Sequence, residues 1–399
     1  MKLNLFVFYL GGVLALPGAD WPQFRGPNSD GVSAETSIPS ALNTNKEIHW
    51  TADLPGEGLS SPIIIGERVF VTCSGGLKQQ KLHILCFNAN NGSKSWERQF
   101  WATGRTMCHE KTSVAAPTPA SDGRYVVAMF SSGDVVCLDL DGNLRWFRGL
   151  GRDYPNASHS LGLSSSLVIA DGVVLAQMEN ESESFTAGLD LQSGLNRWKL
   201  DRPKHANWTS PMVLKNGGKE LFTIQSSKGI LAVEPATGKT VWEFTEGASS
   251  IPSSTQSSGV LYVPSHGLTA IQPGTAGEKP KLLWQSSQLR PGTASPIVTR
   301  EKVFTLNDGG VLTCAEATTG KRLWQLRLKG PISATPVAAG NFLYCVSEKG
   351  VAQVVNIAKP EGEVVNELDL AEKILSTPSI AGNAIYFRSN ARLWRFGKS

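Results

Sequence analysis

The chain rewrites one short phrase at nearly constant spacing, and a repeat of this kind leaves few folds open. Residues Cys314 to Trp324 read CAEATTGKRLW: a small residue, an acid, a Thr-Gly turn and a Trp four places after the Gly. The same Gly-to-Trp step recurs at Gly92/Trp96, Gly142/Trp146, Gly194/Trp198, Gly238/Trp242 and Gly320/Trp324. A stretched copy runs from Gly277 to Trp284, and a degraded copy carries Asn366 four places after Gly362. Successive Trp residues are 50, 52, 44, 42 and 40 positions apart, the period of a repeated supersecondary unit.

A second phrase lies between the copies, a Ser/Thr-Pro pair opening an apolar run: SSPIII from Ser60, TPA from Thr118, TSPMV from Thr209, SPIV from Ser295, TPVA from Thr335 and TPSI from Thr377. Looser versions are SSSLVI from Ser164 and IPSS from Ile251, which makes eight copies. Each is followed by a turn such as DG or GN and another short alternating run. Four strands in roughly 40 residues, with no sustained helical period, describe one blade of a β-propeller. The fold class is therefore all-β: an eight-bladed propeller of four-stranded antiparallel blades. Forty Gly and 22 Pro suit many short strands joined by tight turns.

The last blade lacks its outer strand, because the chain stops soon after ARLWRFG, around Trp394. The missing strand is at the other end. Trp50 precedes Pro62 by 12 residues, the interval that also separates Trp284 from Pro296 and Trp324 from Pro336. The strand around Trp50 should complete the last blade beside Trp394 and close the ring. In this reading the Gly supplies a turn with positive φ and the Trp a flat wedge between sheets, so all of them are structural.

Lys2, an apolar run from Leu3 to Leu16 and small residues after it have the layout of a secretory signal peptide. Expected boundaries are a signal peptide over 1–19, an N-terminal extension over 20–46 and the propeller over 47–399. No Cys follows the apolar run, so a lipid anchor there is not expected, and the mature protein should be exported, periplasmic or extracellular, without a membrane span. A formal charge of +4 without a Lys/Arg stripe argues against nucleic acid as partner. Of the six Cys, Cys86, Cys137 and Cys314 take one repeat position that Ala232 and Ala270 fill elsewhere, which reads as small-residue packing; only Cys108 invites thought of a bridge.

The phrase CAEATTGKRLW is similar to the PQQ-type propeller repeat, A-x-D-x-x-T-G-x-x-x-W, with Cys314 at the Ala place and Glu316 at the Asp place. Partial matches are Ala232, Glu234, Thr237, Gly238 and Trp242 in one copy and Asp190, Gly194 and Trp198 in another. The segment WPQFRGPNSDG from Trp21 resembles the opening of secreted PQQ-like repeat proteins; it could lie on the propeller or reach another molecule. The resemblance implies two kinds of relative. Quinoprotein dehydrogenases hold PQQ and Ca²⁺ on the propeller axis of a longer chain, commonly with a vicinal Cys-Cys pair. The propeller lipoprotein of the outer-membrane β-barrel assembly machinery is a bare eight-bladed binder of proteins. This sequence has no adjacent Cys pair and no acidic, amide-rich loop set for calcium. The scaffold reading is preferred, with no cofactor; a PQQ-dependent dehydrogenase, or a remnant of one using PQQ with calcium, is the alternative.

Two links from an outer strand to the next inner strand are long: Trp96 to Pro119 takes 23 residues and Trp146 to Ser166 takes 20. The hairpins SGGLKQQK and MENESESF should rise on the same face, building up one mouth over blades one to three. The candidate cleft there comprises Arg105, His109, Lys111, Arg152, Tyr154, His159, Arg202, His205 and Trp208, with Glu179, Glu181 and Glu183 partly offsetting the charge. Excess positive charge with a few aromatics suits an acidic protein partner or an anionic or carbohydrate-like ligand, such as a cell-envelope polymer. A monomer is expected. His109 beside Cys108 does not make a metal site, no catalytic motif is present, and the Ser/Thr at the strand starts read as residues small enough to converge on an axis.

Overall fold

The computed structural model describes residues 20–43, 48–157, 161–216, 218–275 and 277–397. The expected leader, residues 1–19, lies outside the described residues. Eight sheets form the ring, each with four antiparallel strands, and that of blade seven carries a fifth, parallel strand. Blade one is built from Ile63–Ile65, Arg68–Gly75, Lys81–Asn88 and Lys94–Trp101, in order from the axis outward, and the next six blades repeat that plan. Only one short helix, Leu150–Asp153, occurs among the described residues.

Ring closure follows the sequence reading. The strand Ile48–Asp53 pairs antiparallel with Arg392–Phe396, Trp50 opposite Arg395 and Thr51 opposite Trp394. The eighth blade thus takes three strands from the C-terminal end and its outer strand from near the N-terminus.

The Gly and Trp of the phrase belong to one blade, but each meets a neighbour. A Cβ on Gly142 would lie 2.7 Å from the Trp96 ring, one on Gly194 2.6 Å from Trp146, and one on Gly238 2.6 Å from Trp198. The same holds for Gly92 under Trp50 and Gly320 under Trp284. Each indole therefore lies flat on the turn glycine of the next blade. Its N–H donates into that turn: Trp50 to the Ala89 carbonyl at 2.7 Å, Trp96 to Leu140 at 3.1 Å, Trp146 to Leu191 at 2.9 Å, Trp198 to Pro235 at 2.8 Å. These glycines need positive φ, between 70° and 83°, and also the absence of a side chain.

The small residue that opens the phrase has its own reason. Cys86 stands across the sheet from Trp96, Cys137 from Trp146, Cys314 from Trp324, and Ala232 and Ala270 from Trp242 and Trp284. All six thiols are free, and burial pushes those of Cys86, Cys137 and Cys314 up to about 12, which leaves them unreactive.

The two irregular copies fall where the rule relaxes. Among the described residues, Gly277 has nothing within 4 Å of its would-be Cβ, and the buried Nε1 of Trp242, whose turn it would be, has no partner. Asn366 replaces Trp in blade seven, whose neighbour has no turn joining its third and fourth strands, since those come from opposite ends of the chain. Asn366 Oδ1 accepts instead from the Leu42 N–H as the N-terminal segment enters that blade.

That segment crosses the ring. Trp21 bridges Ile64 of blade one, the Pro22 carbonyl accepts from Ser121 of blade two, and Arg25 Nη2 donates to Ser254 of blade five. Val32–Ser33 then adds in parallel to Val337–Ala339 of blade seven, and Glu35 accepts from Gly382 and Asn383 of blade eight. Residues 20–43 lie on the propeller and cover the lower end of its axis.

Gly142→Ala and Gly123→Ala separate the two demands on the turn. Both positions have φ near +85°, but only Gly142 is covered by an indole. Each should lose about 1 kcal/mol from the left-handed backbone, and Gly142→Ala a further ~1–3 kcal/mol from the displaced Trp96, read by urea unfolding.

Candidate functional site

Each inner strand begins at the upper face with its Ser or Thr, and these side chains link the blades around the axis. Ser61 N–H donates to Thr118 Oγ1 at 2.9 Å, Thr118 N–H to Ser166 Oγ at 3.1 Å and Ser166 N–H to Ser210 Oγ at 3.0 Å. The relay continues from Ser210 to Ser253, Ser253 to Ser295, Ser295 to Thr335 and Thr335 to Thr377, at 2.9–3.1 Å. Seven of eight junctions are bridged in this way. At the seam between blades eight and one, Ser61 Oγ is buried without a hydrogen-bond partner; Ser379 Oγ donates instead to the Pro62 carbonyl at 2.6 Å. Size explains why Ser and Thr stand here, as expected, but their hydroxyls also act as inter-blade acceptors.

Above the relay is a chamber of about 410 Å³ on the axis. The seven relay hydroxyls surround it, Phe24 of the crossing segment contributes to its lining from below, and Leu59, Leu161, Trp208, Ile251 and Leu375 contribute apolar wall. Two buried guanidinium groups lie next to the relay. Arg25 has no exposed surface, and among the described residues its Nε and Nη1 have no hydrogen-bond partner; burial, opposed by Asp30, lowers it to about 10, so it stays charged at neutral pH. Arg388, also fully buried, donates to Ser60 Oγ at 2.9 Å and to the Thr72 carbonyl at 2.8 Å, tying blade eight to blade one.

The long links form the mouth. The link after blade one is tied to the link after blade two, His109 N–H donating to the Leu161 carbonyl at 2.9 Å, and Trp208 Nε1 donates to Gly162 at 2.9 Å. Lys111 reaches over the opening to Glu348 of blade seven at 2.9 Å. Burial would raise the Glu348 carboxyl, but bonds from Ser333 and Lys111 outweigh it and hold the carboxyl below its usual range. The same partner raises Lys111.

The structure divides the nine cleft candidates. His109, Lys111 and Trp208 meet at the chamber. Arg105 stands apart beside Met107, its Nη2 3.7 Å from the sulfur. Arg152 lies in the short helix, where it is exposed. Tyr154 packs on Phe185 with ring centroids 4.6 Å apart, and its hydroxyl accepts from Asn196. His205 Nδ1 bonds the Ala206 carbonyl, and His159 lies outside the described residues. Arg202 is not a mouth cation: its side chain is 7% exposed and its Nε donates at 2.7 Å to Glu179, which is fully buried and also takes Asn207. Glu179 accordingly neutralises a neighbour in the interior instead of offsetting charge at the surface.

Sequence reasoning missed the chamber lining from Phe24, Leu59, Ile251 and Leu375, and the exposed apolar side chains of blade one and the link after it. Leu77, Trp101 and Met107 are exposed there, with Lys81 over the Trp101 ring at 5.7 Å. Their signal was present, large apolar residues at a strand end and in otherwise polar loops, but one sequence does not show which of them face water.

Calcium prefers six or more oxygen ligands. Among the described residues no three His, Cys, Asp or Glu side chains are grouped to hold a metal ion. The acids nearest the chamber are engaged, Glu348 with Lys111 and Ser333 and Asp308 with Thr293. No described helix is long and apolar enough to cross a membrane.

A family model described as outer membrane protein assembly factor BamB matches residues 39–243, 157–271 and 268–363. Outer membrane protein assembly factor BamB of Bordetella pertussis is 22% identical over 391 residues, covering 92% of this chain and 90% of that protein. The BamB of Moranella endobia is 24% identical over 213 residues; that match spans 51% of this chain and about half, 49%, of the relative. Among solved structures, BamB from Moraxella catarrhalis superposes with a TM-score of 0.63 at 18% identity, covering 88% of this chain and 97% of that one. Quinohemoprotein alcohol dehydrogenase from Comamonas testosteroni gives 0.73 at 13% identity, covering 95% and 81%. At such identities these superpositions speak for the fold alone.

Removing one member of the buried pair should be costly. Glu179→Ala leaves Arg202 buried and unpaired and should lose about 3–5 kcal/mol, whereas Glu179→Leu with Arg202→Met should recover most of it. Chemical denaturation of the two variants checks this.

Proposed function

Because the chain belongs to the family described as outer membrane protein assembly factor BamB, we propose that it is an exported, non-catalytic propeller scaffold. It assists outer membrane protein assembly by holding a protein partner at the mouth over blades one to three. The observation that supports this reading is that Leu77, Trp101 and Met107 are all exposed, with Arg105 against Met107, on blade one and the link that follows it, in the most elaborated sector of the ring. Aromatic, Met and Arg side chains on a rigid support are the composition of interface hot spots. Lys81 and Arg152 add positive charge nearby, which favours an acidic partner and speeds its encounter. The N-terminal apolar run supports export.

Substituting Arg105, His109 and Arg152 together by Ala should abolish binding to the outer-membrane assembly apparatus, and Trp101→Ala alone should weaken it by about tenfold or more. Thermal unfolding should stay unchanged, since these side chains lie outside the packed sheets. Wild-type co-purification by the triple variant would refute the reading.

A further inference from the structure

We propose that the axial chamber is a binding site for a small organic carboxylate with an apolar body, the carboxylate on the hydroxyl relay and the body against the upper wall. The relay hydroxyls each accept one backbone N–H from the neighbouring blade, and among the described residues none of the seven donates to a protein acceptor. A hydroxyl carries one proton as well as its lone pairs. Seven protons are thus left for whatever occupies the chamber they surround.

Charge decides the sign of the occupant. Hydroxyl oxygens could also serve a cation, but the groups behind them are cationic. Arg25 bonds Ser254, next to relay member Ser253, and Arg388 bonds Ser60, next to Ser61; Asp30 lies close enough to offset part of the Arg25 charge, but among the described residues neither guanidinium makes a salt bridge. Buried positive charge in a medium of low dielectric constant acts strongly over short distances. Among the described residues the chamber lining carries no Asp or Glu, and Glu348 at the rim is taken by Lys111.

Shape and polarity decide the class. Leu161, Trp208, Ile251 and Leu375 at the walls and Phe24 below offer apolar contact that a bare inorganic anion cannot use. A volume of about 410 Å³ lies within the range of small-molecule sites. With Lys111 neutralised by Glu348, no free ammonium is left for a phosphate dianion. A single carboxylate on an aryl or alkyl group meets both halves of the lining. The inference does not rest on the protein-partner reading: the two share His109 at the rim, but the relay and the apolar wall lie in the chamber whereas Leu77, Trp101, Met107 and Arg105 do not line it, so either can fail alone.

The test is calorimetric titration of the protein with 3-phenylpropionate, 3-phenylpropanol and inorganic phosphate. The carboxylate should bind at least about tenfold more tightly than the alcohol, the margin of charge-assisted hydrogen bonds in a buried site. Phosphate should bind more weakly than the carboxylate. Ile251→Trp, which narrows the chamber without touching the relay, should reduce carboxylate affinity about tenfold or more. Leu375→Trp does the same from another side should the first variant unfold. Equal affinity for acid and alcohol, tighter binding of phosphate, or no binding of the carboxylate at about 10 mM would overturn the proposal.

Discussion

The ring depends on the pairing between Ile48–Asp53 and Arg392–Phe396. All eight blade junctions are continuous in the chain, the strand Ile48–Asp53 running on into blade one; what non-covalent contacts alone hold is the pairing inside blade eight, beside its junction with blade one. At that junction Trp50 covers Gly92, Arg388 reaches Ser60 and Thr72, and Ser379 holds Pro62. The seam has a different set of bonds from the other junctions because the hydroxyl relay stops there, at Ser61. A closed ring also leaves few sheet edges for another chain to add to.

Closure from both ends has a functional result. Residues 20–43 must travel from blade one across the axis before the chain can supply the outer strand of blade eight. That path brings Phe24 to the chamber and buries Arg25 beside blade five. The lower end of the axis is covered, the upper end is framed by the long links, and a through-hole becomes a chamber with one elaborated mouth. The buried guanidinium then sits beside a ring of hydroxyls, so the polarity of the chamber follows from how the ends are joined.

Much of the fold was legible because a repeat states its rule several times. The blade number, the role of the Trp strand and the partnership of Trp50 with the strand of Trp394 all followed from spacing. The small residue at Cys86, Cys137 and Cys314 was recognised by its substitutes, although not that an indole stands opposite. The site was less legible. Trp208 is far in sequence from His109 and Lys111 but converges with them at one mouth, whereas Arg202, read as a surface cation, is buried against Glu179. Charge and sequence neighbourhood do not reveal burial, since a buried ion pair and a solvated one use the same residue types.

Local sequence by itself therefore determined what is local: strands, turns with positive φ, the period, and through the period the ring. Only the tertiary structure decided what depends on contacts between repeats. It placed each Trp on the next blade's glycine, turned small strand-start residues into a hydrogen-bonded relay, and laid the N-terminal segment over the axis. The physical reason is distance along the chain. A turn is specified by the few residues it contains, whereas a chamber is lined by residues from Phe24 to Thr377 that meet only after all eight sheets have closed.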